Sequence, residues 1–515
     1  MATSADKNKL YYGDNLDVLK QTDYFPDECV DLIYLDPPFN SNRDYNAFFE
    51  QQDGRRSAAQ MKAFTDTWRW DVAAVEAYTE VVQAGGSPGQ ALVGLRGLLG
   101  DNDILAYLAM MAPRLIQLRR VLKNNGSIFL HCDPTASHYL KILMDSIFGA
   151  ECFVNEIIWH YRKWATGKYG FQRNHDVIFY YAKSPIPAER TFNQLFMPRA
   201  ASTLKRFGNS KITSGHDADG RRTPSTTSGE ESEGVRMDDV WDIPRVAPVK
   251  VLFPTQKPLP LLERIIEAAS NPGDVVLDPF CGCGTAVVAA QKLGRTWRGI
   301  DITHLSTNLI KTRLLDIFGQ VDYEVIGEPT TVDGAAQLAK EDPYQFQWWS
   351  LGLLGARPVE KDRKKGADGG IDGRLFFHDG SAGSSTKQMI FSVKSGNLKL
   401  EYVRDLRGVI EREGAQIGVL VTLNEPTQKM RAEAASAGMY TSPWGQHPRL
   451  QILQVGDILA GKQVDSPPLG QVNVTFKKSE KLKADHSASA LAFAGIDWDA
   501  STDIEADSSD EEGSD

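Results

Sequence analysis

The tetrapeptide Asp36-Pro37-Pro38-Phe39 combines side chains that could bind a flat base with an exocyclic amine. It follows the apolar run at 31–35, which predicts a buried parallel strand. The Asp36 carboxylate could accept a hydrogen bond from the amine, and the proline-stiffened backbone offers carbonyl acceptors only. The Phe39 ring could stack on a base turned out of a duplex. Alone, the tetrapeptide is equally typical of a strand followed by a rigid turn.

A second motif occupies residues 275–302. An apolar strand ends at Asp278 and runs into Phe280, Gly282 and Gly284, after which small and apolar residues predict a helix. A strand, a glycine-rich turn and a helix N-terminus form a nucleotide-binding element of the Rossmann type. The next predicted strand contains Asp301, and an acid at that place typically binds ribose hydroxyls. The turn F-C-G-C-G-T differs from the dinucleotide fingerprint G-x-G-x-x-G.

Together the two motifs resemble the amino-group DNA methyltransferases, which use S-adenosylmethionine. In that family an F-x-G-x-G turn binds the cofactor and a [DNS]-P-P-[FYW] turn binds the target amine. The order of the motifs here resembles the β group, in which a target-recognition region lies between them. The resemblance extends over about residues 10–315 and departs at Phe253, where the family usually has His. Its other matching segments are 11–19, 126–141, 171–184 and 254–266.

The resemblance implies roles for individual residues. Asp36 and the Pro37 carbonyl would accept hydrogen bonds from the amine, next to Pro38, while Phe39 stacks on the base. The implied contacts of S-adenosylmethionine are Asp278, Phe280, Gly282, Gly284 and Asp301, with Thr255, Lys257 and Asp14 as weaker candidates. Because Asp before the prolines goes mostly with adenine in this family, adenine N6 is favoured over cytosine N4, which stays open.

Composition is consistent with a soluble globular protein of two or three domains. The 515 residues are 42% hydrophobic and 24% charged. Five cysteines, at 29, 132, 152, 281 and 283, show no metal-binding spacing. The N-terminus lacks the apolar core of a signal peptide, and no apolar run is long enough to span a membrane. We therefore expect a cytoplasmic protein.

Charge is distributed unevenly along the chain. The formal net charge is −10, but the segment 497–515 holds nine acids and no Lys or Arg, which predicts a disordered acidic tail. Residues 160–211 carry ten Lys or Arg against two acids, interleaved with Tyr161, Trp164, Tyr169 and Phe171. Basic charge attracts phosphate and aromatic rings can stack on bases, so contact with double-stranded DNA is favoured over a solvated loop.

The coarse element pattern predicts an α/β fold, Rossmann-like, with a mostly parallel sheet and helices on both faces. Strands are expected at 126–133, 157–164 and 176–182, and a helix at 104–122 that Pro113 interrupts. Residues 40–100 are expected to be irregular, with a loop at 85–89. Residues 208–240, rich in Gly, Ser and Thr, are interpreted as a mobile loop.

The chain beyond residue 320 has a different pattern. A bulky helix is expected at 342–356, and Asp372 precedes a strand that is followed by Ser392-x-Lys394. An acid and a Lys so placed can position a divalent metal such as Mg²⁺ and polarise water. Residues 343–462 resemble the Mrr-like branch of the PD-(D/E)xK nucleases. Ser392 departs from that pattern, since a hydroxyl is a poorer metal ligand than a carboxylate; Glu360 or Asp368 could complete the site. Whether this domain cleaves DNA stays open, and a domain that binds DNA without cutting it is favoured.

We therefore expect a methyltransferase domain at 1–320, a linker at 321–342, an Mrr-like α/β domain at 343–462 and an extension at 463–515. Within the first, the catalytic motif occupies 31–41, the target-recognition region about 160–245 and the cofactor motif 254–302. The function hypothesis is a site-specific DNA methyltransferase of a restriction-modification system. A cytosine N4 enzyme, a bifunctional nuclease, an RNA target and a silent DNA-binding protein are the alternatives. β-Group enzymes often dimerise, so a homodimer is a family expectation.

Overall fold

The structure is a computed structural model that describes residues 7–38, 69–163, 169–216, 222–247, 256–359, 370–377 and 386–467. These residues form two compact units, and each is described by itself. The larger unit contains 7–193 and 238–467, and the smaller contains 194–237. No helix within the described ranges is both long and apolar enough to cross a lipid bilayer.

Helices and strands alternate along much of the chain. The helices are α1 (Asn15–Lys20), α2 (Val72–Ala84), α3 (Gly86–Leu99), α4 (Asp103–Val121), α5 (Ser137–Phe148), α6 (Ala201–Phe207), α7 (Leu259–Ala269), α8 (Thr285–Lys292), α9 (His304–Phe318), α10 (Val332–Glu341), α11 (Pro343–Leu353), α12 (Leu400–Arg412), α13 (Gln428–Ala435) and α14 (Val455–Leu459). The strands are β1 (Asn8–Tyr12), β2 (Val30–Leu35), β3 (Leu122–Cys132), β4 (Phe153–His160), β5 (His175–Ala182), β6 (Phe196–Met197), β7 (Ser210–His216), β8 (Arg222–Glu231), β9 (Val235–Arg236), β10 (Val240–Asp242), β11 (Val275–Asp278), β12 (Thr296–Asp301), β13 (Tyr323–Ile326), β14 (Arg357–Pro358), β15 (Gly373–Phe377), β16 (Lys387–Lys394), β17 (Ile417–Thr422), β18 (Met439–Ser442), β19 (Gly445–Pro448) and β20 (Leu450–Gln454).

Nine strands form the main sheet, in the order β10-β4-β5-β3-β2-β11-β12-β1-β13. Only β5 runs antiparallel to its neighbours, so the predicted mostly parallel sheet is confirmed. One face packs against α4 and α5, and the other packs against α7 and α8, each through its own apolar core. Every residue of β2 is buried, as expected for a central strand that is covered on both faces. The carboxyl ends of β2, β11 and β12 therefore meet at one edge.

Three predictions for residues before the third strand are wrong. The expectation of irregular structure fails over 72–99, where α2 and α3 lie; residues 39–68 fall outside the described ranges. Gly85, with a φ of 73°, ends α2 and leads directly into α3, so the loop expected at 85–89 is instead a helix start. Pro88 is tolerated there because a first-turn N–H has no helical partner. Pro113 likewise fails to interrupt α4, which Asn102 caps and which continues to Val121.

The smaller unit contains two antiparallel strand pairs. β6 pairs with β9, and β7 pairs with β8 as a hairpin. The interpretation of 208–240 as a mobile loop is therefore wrong for the described part of that segment. Thr223, Thr226 and Thr227 in β8 are β-branched, and such residues favour the extended backbone that the loop interpretation did not consider.

The C-terminal part of the larger unit has its own five-stranded sheet, in the order β14-β15-β16-β17-β20. Its faces are covered by two further apolar cores, one of which includes Phe346 and Trp349 of α11. Residues 321–342, expected to be a linker, contain the edge strand β13 and helix α10. β13 pairs with β1 of the main sheet, whereas Ala335 and Leu338 of α10 pack into the C-terminal core.

Candidate active site

Asp36 lies directly after β2, at the carboxyl edge of the main sheet, and its side chain is mostly buried. Lys257, which precedes α7, forms an ion pair with Oδ2 of Asp36. The other carboxylate oxygen, Oδ1, is buried and accepts no hydrogen bond from any described residue. A buried acceptor without a donor is costly, so this oxygen is suited to receive an N–H from a bound molecule. Pro37 and Pro38 follow in the described chain, while Phe39 and Thr255 lie outside it.

The glycine-rich turn after β11 is closed by the two acids that flank it. Asp278 accepts a hydrogen bond from the Phe280 N–H (3.0 Å), and Asp301 accepts one from the Gly282 N–H (2.8 Å). Gly284, with a φ of 71°, occupies the N-cap of α8. A Cβ on Gly284 would lie 2.7 Å from Ile310 Cγ1, so both backbone shape and space require glycine here. The structure thus brings together the five residues expected to contact the cofactor.

Burial perturbs both acids of this turn. Burial raises the pKa of Asp278 to about 8, and the charges of Asp36 and Asp301 add to the rise. The hydrogen bond from the Phe280 N–H acts in the opposite direction and lowers the pKa. Burial also raises the pKa of Asp301 to about 6, although the N–H groups of Thr303 and Gly282 act in the opposite direction. Several carboxyls so close together favour a ligand that carries positive charge.

Asp14, a weaker cofactor candidate, has a structural role in this fold. Its side chain accepts the Leu16 N–H at the start of α1 and pairs with Arg114 Nη2 at 2.8 Å. Arg114 Nε also donates to Asn15 Oδ1 (2.7 Å), and Asn15 Nδ2 donates to the Pro279 carbonyl (2.8 Å). Arg114 and Asn15, which sequence reasoning missed, therefore fix the start of the glycine-rich turn. The available signal was a charged residue within the otherwise apolar stripe of α4.

The basic segment after β4 presents aromatic rings in two settings. Tyr161 is buried, with Lys163 Nζ 4.8 Å and the Arg245 guanidinium carbon 5.4 Å from its ring centroid. Tyr169 and Phe171 are fully exposed, and Trp164 lies outside the described residues. Exposed rings in a stretch of sequence rich in Lys and Arg are suited to stacking on bases.

The three nuclease candidates also come together. Asp372 is buried and its Oδ2 accepts bonds from Ser392 Oγ (3.2 Å) and the Val393 N–H (2.7 Å), with Lys394 Nζ at 3.5 Å. Glu360 and Asp368 lie outside the described residues. Among the side chains that the structure places, no group of three or more His, Cys, Asp or Glu is arranged to hold a metal ion.

Residues 30–311 match the family model of the N6/N4 DNA methylases. The chain belongs to this DNA methylase family. Residues 338–441 match a second model, described as a restriction endonuclease. Both resemblances inferred from the motifs are thereby confirmed.

Curated relatives agree with this membership. Type II methyltransferase M.BamHI of Bacillus amyloliquefaciens is 26% identical over 328 residues, which are 60% of this chain and 57% of the relative. The StyLTI Mod subunit of Salmonella typhimurium is 26% identical over 361 residues, with 57% of this chain and 51% of the relative covered. The chain thus spans little more than half the length of these two. DNA adenine methyltransferase YhdJ of Escherichia coli is 26% identical over 296 residues, which are 57% of this chain and 78% of the relative.

Solved structures give weaker similarities. A putative DNA modification methylase from Thermus thermophilus, complexed with S-adenosyl-L-methionine, is 18% identical with a TM-score of 0.35 and covers 63% of this chain and 100% of its own. The cytosine-N4-specific PvuII DNA methyltransferase is 14% identical with a TM-score of 0.34, covering 59% and 85%. At these TM-scores the similarities add nothing to what the sheet order and the family match establish.

Arg114→Met is expected to lower the free energy of unfolding by about 2 kcal/mol, because it leaves Asp14 and Asn15 partly buried without their donor. Urea unfolding followed by circular dichroism would measure this. The matched control is Arg404→Met, which removes an ion pair with Glu433 from an arginine that is largely exposed. Equal stability of the two variants would contradict the role given to Arg114.

Proposed function

We propose that the chain is an S-adenosylmethionine-dependent DNA amino-methyltransferase that acts on adenine N6. The observation that carries the proposal is the buried, unpaired Oδ1 of Asp36, next to a glycine-rich turn between two buried acids. The proposed methyltransferase domain is 1–320, with target recognition at about 160–245, and the proposed nuclease-like domain is 343–462. Double-stranded DNA as the partner, a homodimer and a cytoplasmic location are parts of the same proposal.

The described residues fit the proposed cofactor. Asp278 is a buried acid close to other carboxyls, and a nearby cation would stabilise its charged form; the amino group of S-adenosylmethionine would be such a cation. Asp301 would accept from ribose hydroxyls, while Phe280, Gly282 and Gly284 shape the turn around the ligand. Thr255, Lys257 and Asp14 stay weaker candidates. When bound, S-adenosylmethionine supplies an electrophilic methyl carbon on a sulfonium, from which a neutral thioether is a good leaving group.

The chain itself would bind and orient the target amine. Asp36 Oδ1 accepts one N–H of the amine and the Pro37 carbonyl accepts the other, which keeps the nitrogen lone pair out of the ring. Lys257 compensates the charge of Asp36 and holds its second oxygen in place. Phe39 would stack on the flipped base. Most of the acceleration then comes from positioning and from preorganised charge.

The choice of adenine rests on two supports. Asp36 stands at the position where the family resemblance associates Asp with adenine. YhdJ, named as a DNA adenine methyltransferase, is 26% identical to this chain over a region that covers 57% of it. Cytosine N4 is the alternative, since its exocyclic amine presents the same chemistry.

Asp36→Ala is expected to lower methyl transfer by at least about 10²-fold while leaving cofactor affinity nearly unchanged, because the lost acceptor contacts the amine. The measurement is mass spectrometry of nucleosides after incubation of unmethylated plasmid DNA with S-adenosylmethionine. Asp322→Ala is the matched control, since that acid is exposed at the far edge of the sheet. N6-methyldeoxyadenosine supports the proposal; N4-methyldeoxycytidine would keep the mechanism and overturn the base; neither product would reject the function.

Affinity for S-adenosylmethionine is expected to rise with pH up to about 8. In the free protein Asp278 holds a proton below that pH, and a cationic ligand must displace it. Calorimetry at pH 7 in buffers of different ionisation enthalpy should therefore show proton release on binding. Asp278→Asn should bind more weakly and release fewer protons, and it also controls for titration of the ligand's own amine. Equal proton release in both proteins would contradict this assignment.

The C-terminal domain is proposed to bind DNA without cutting it. The Asp372 carboxylate already accepts from Ser392 and from the Val393 N–H, and Ser392 replaces a stronger metal ligand. Supercoiled plasmid incubated with Mg²⁺ is therefore expected to stay intact with the wild type and with Lys394→Ala. Mg²⁺-dependent nicking that Lys394→Ala abolishes would establish a bifunctional restriction endonuclease and methyltransferase instead.

A further inference from the structure

Two aspartate–lysine ion pairs stand at the two ends of β2, and they differ in how the carboxylate is filled. At the amino end, Lys123 Nζ donates to both oxygens of Asp31, at 2.8 Å each. The Val275 N–H adds a third bond, to Asp31 Oδ2 at 2.9 Å, and Asp31 is buried. Both oxygens of Asp31 are thus bonded within the protein, as is usual for a buried carboxylate that stabilises a fold.

The pair at the carboxyl end leaves one oxygen open. Lys257 bonds to Oδ2 of Asp36, and the two side chains are only 13% and 16% exposed. Oδ1 of Asp36 is buried and accepts no hydrogen bond from the residues that the structure describes. Lys257 directly precedes Pro258, the N-cap of α7, and a residue before proline has a restricted backbone, which helps to fix the ammonium in place. The residue types are the same at both ends of β2, but at Asp36 an acceptor is left for a bound molecule.

A base offers more than its exocyclic amine at the edge that faces Asp36. The ring nitrogen next to the amine is N1 in adenine and N3 in cytosine, and each is an acceptor without a proton. The two oxygens of a carboxylate lie side by side, so a base whose amine binds Oδ1 brings this ring nitrogen near Oδ2. An ionised carboxylate only accepts, and two acceptors in contact repel each other unless a donor lies between them. Lys257 Nζ is the donor that the structure places at Oδ2.

We propose that Lys257 donates a hydrogen bond to the ring nitrogen beside the target amine, N1 of adenine, while it stays paired with Asp36. The proposal rests on the methyltransferase function. An ammonium carries three N–H groups, so one bond to Asp36 and one to the base are compatible. Asp36 and Lys257 together then read the amine and the ring nitrogen at the Watson–Crick edge of a flipped base. The pair refuses guanine and thymine, whose ring nitrogen at this edge carries a proton and would face the ammonium donor to donor.

The test replaces the target adenine with 1-deazaadenine, which keeps the amine but has a C–H group in place of N1. Both duplexes carry the target site mapped on the methylated plasmid, and they compete for the same enzyme. The wild type is expected to prefer adenine by about 10- to 100-fold, the effect of losing a hydrogen bond to a charged partner. A duplex with 7-deazaadenine, which lacks N7 on the other side of the amine, should be methylated nearly as well as the adenine duplex.

Lys257→Met is expected to remove most of the preference for adenine over 1-deazaadenine. A lysine that only neutralised Asp36 would slow both duplexes alike when lost, and the preference would not change. The difference in reactivity between the two amines is the same for both proteins, so it cancels in this comparison. Lys257→Arg keeps N–H donors and should retain part of the preference. The matched control is Lys123→Met, which removes the corresponding lysine from Asp31 and should keep the wild-type preference.

Equal methylation of adenine and 1-deazaadenine by the wild type overturns the proposal while the methyltransferase function stands. An unchanged preference in Lys257→Met, with weaker binding of S-adenosylmethionine by calorimetry, also overturns it and places Lys257 at the cofactor. If Lys257→Met does not fold, the wild type and Lys257→Arg decide. If the methylated base is cytosine, 3-deazacytosine replaces 1-deazaadenine, because N3 lies beside that amine. If the wild type transfers no methyl to DNA, the function and this proposal fail together.

Discussion

The energetic constraint on which the site depends is the burial of several carboxylates at one edge of the main sheet. Asp36, Asp278 and Asp301 end three adjacent parallel strands, and each charge is unfavourable in the presence of the others. Lys257 compensates for one of them directly, through its ion pair with Asp36. The rest of the charge is relieved by protonation of Asp278 or by a cationic ligand. Without a cationic ligand, such an edge is stable only if some of its carboxyl groups are protonated.

The topology of the sheet makes this edge possible. Val276 and Leu277 of β11 pair with Leu32 and Ile33 of β2, although the two strands are far apart in sequence. A long intervening segment can therefore leave the sheet and return without disturbing the contact between the amine site and the glycine-rich turn. The smaller unit at 194–237 belongs to that segment. Sequence variation within the proposed target-recognition region is thus separated from the strands that fix Asp36 and Asp278.

The positions of Asp36, Asp278 and Gly284 at strand ends could be predicted from short contiguous motifs, because a strand end followed by proline or glycine restricts the backbone in a way that single residues reveal. Their roles toward a base and a cofactor stay predictions. Residues whose roles depend on distant partners could not be found in this way. Arg114 contacts Asp14 and Asn15 about a hundred positions away, and nothing in α4 identifies them as its partners. The helices at 72–99 were missed because glycine and proline near 85–89 were interpreted as a loop, whereas Pro88 merely begins α3.

The C-terminal domain packs next to the same carboxyl edge of the main sheet, through the helix that follows Asp301. Asp301 Oδ1 accepts from the Thr303 N–H and hydroxyl, and Thr303 caps α9. The next residue, His304, is stacked on Tyr12 and donates its N–H to Gln345 of α11. One turn later Asn308 Nδ2 donates to the Trp348 carbonyl. The helix that begins beside the proposed ribose-binding acid is therefore the helix on which the nuclease-like domain packs. Because His304 is buried between these partners, a shift of Asp301 would move a contact of both domains.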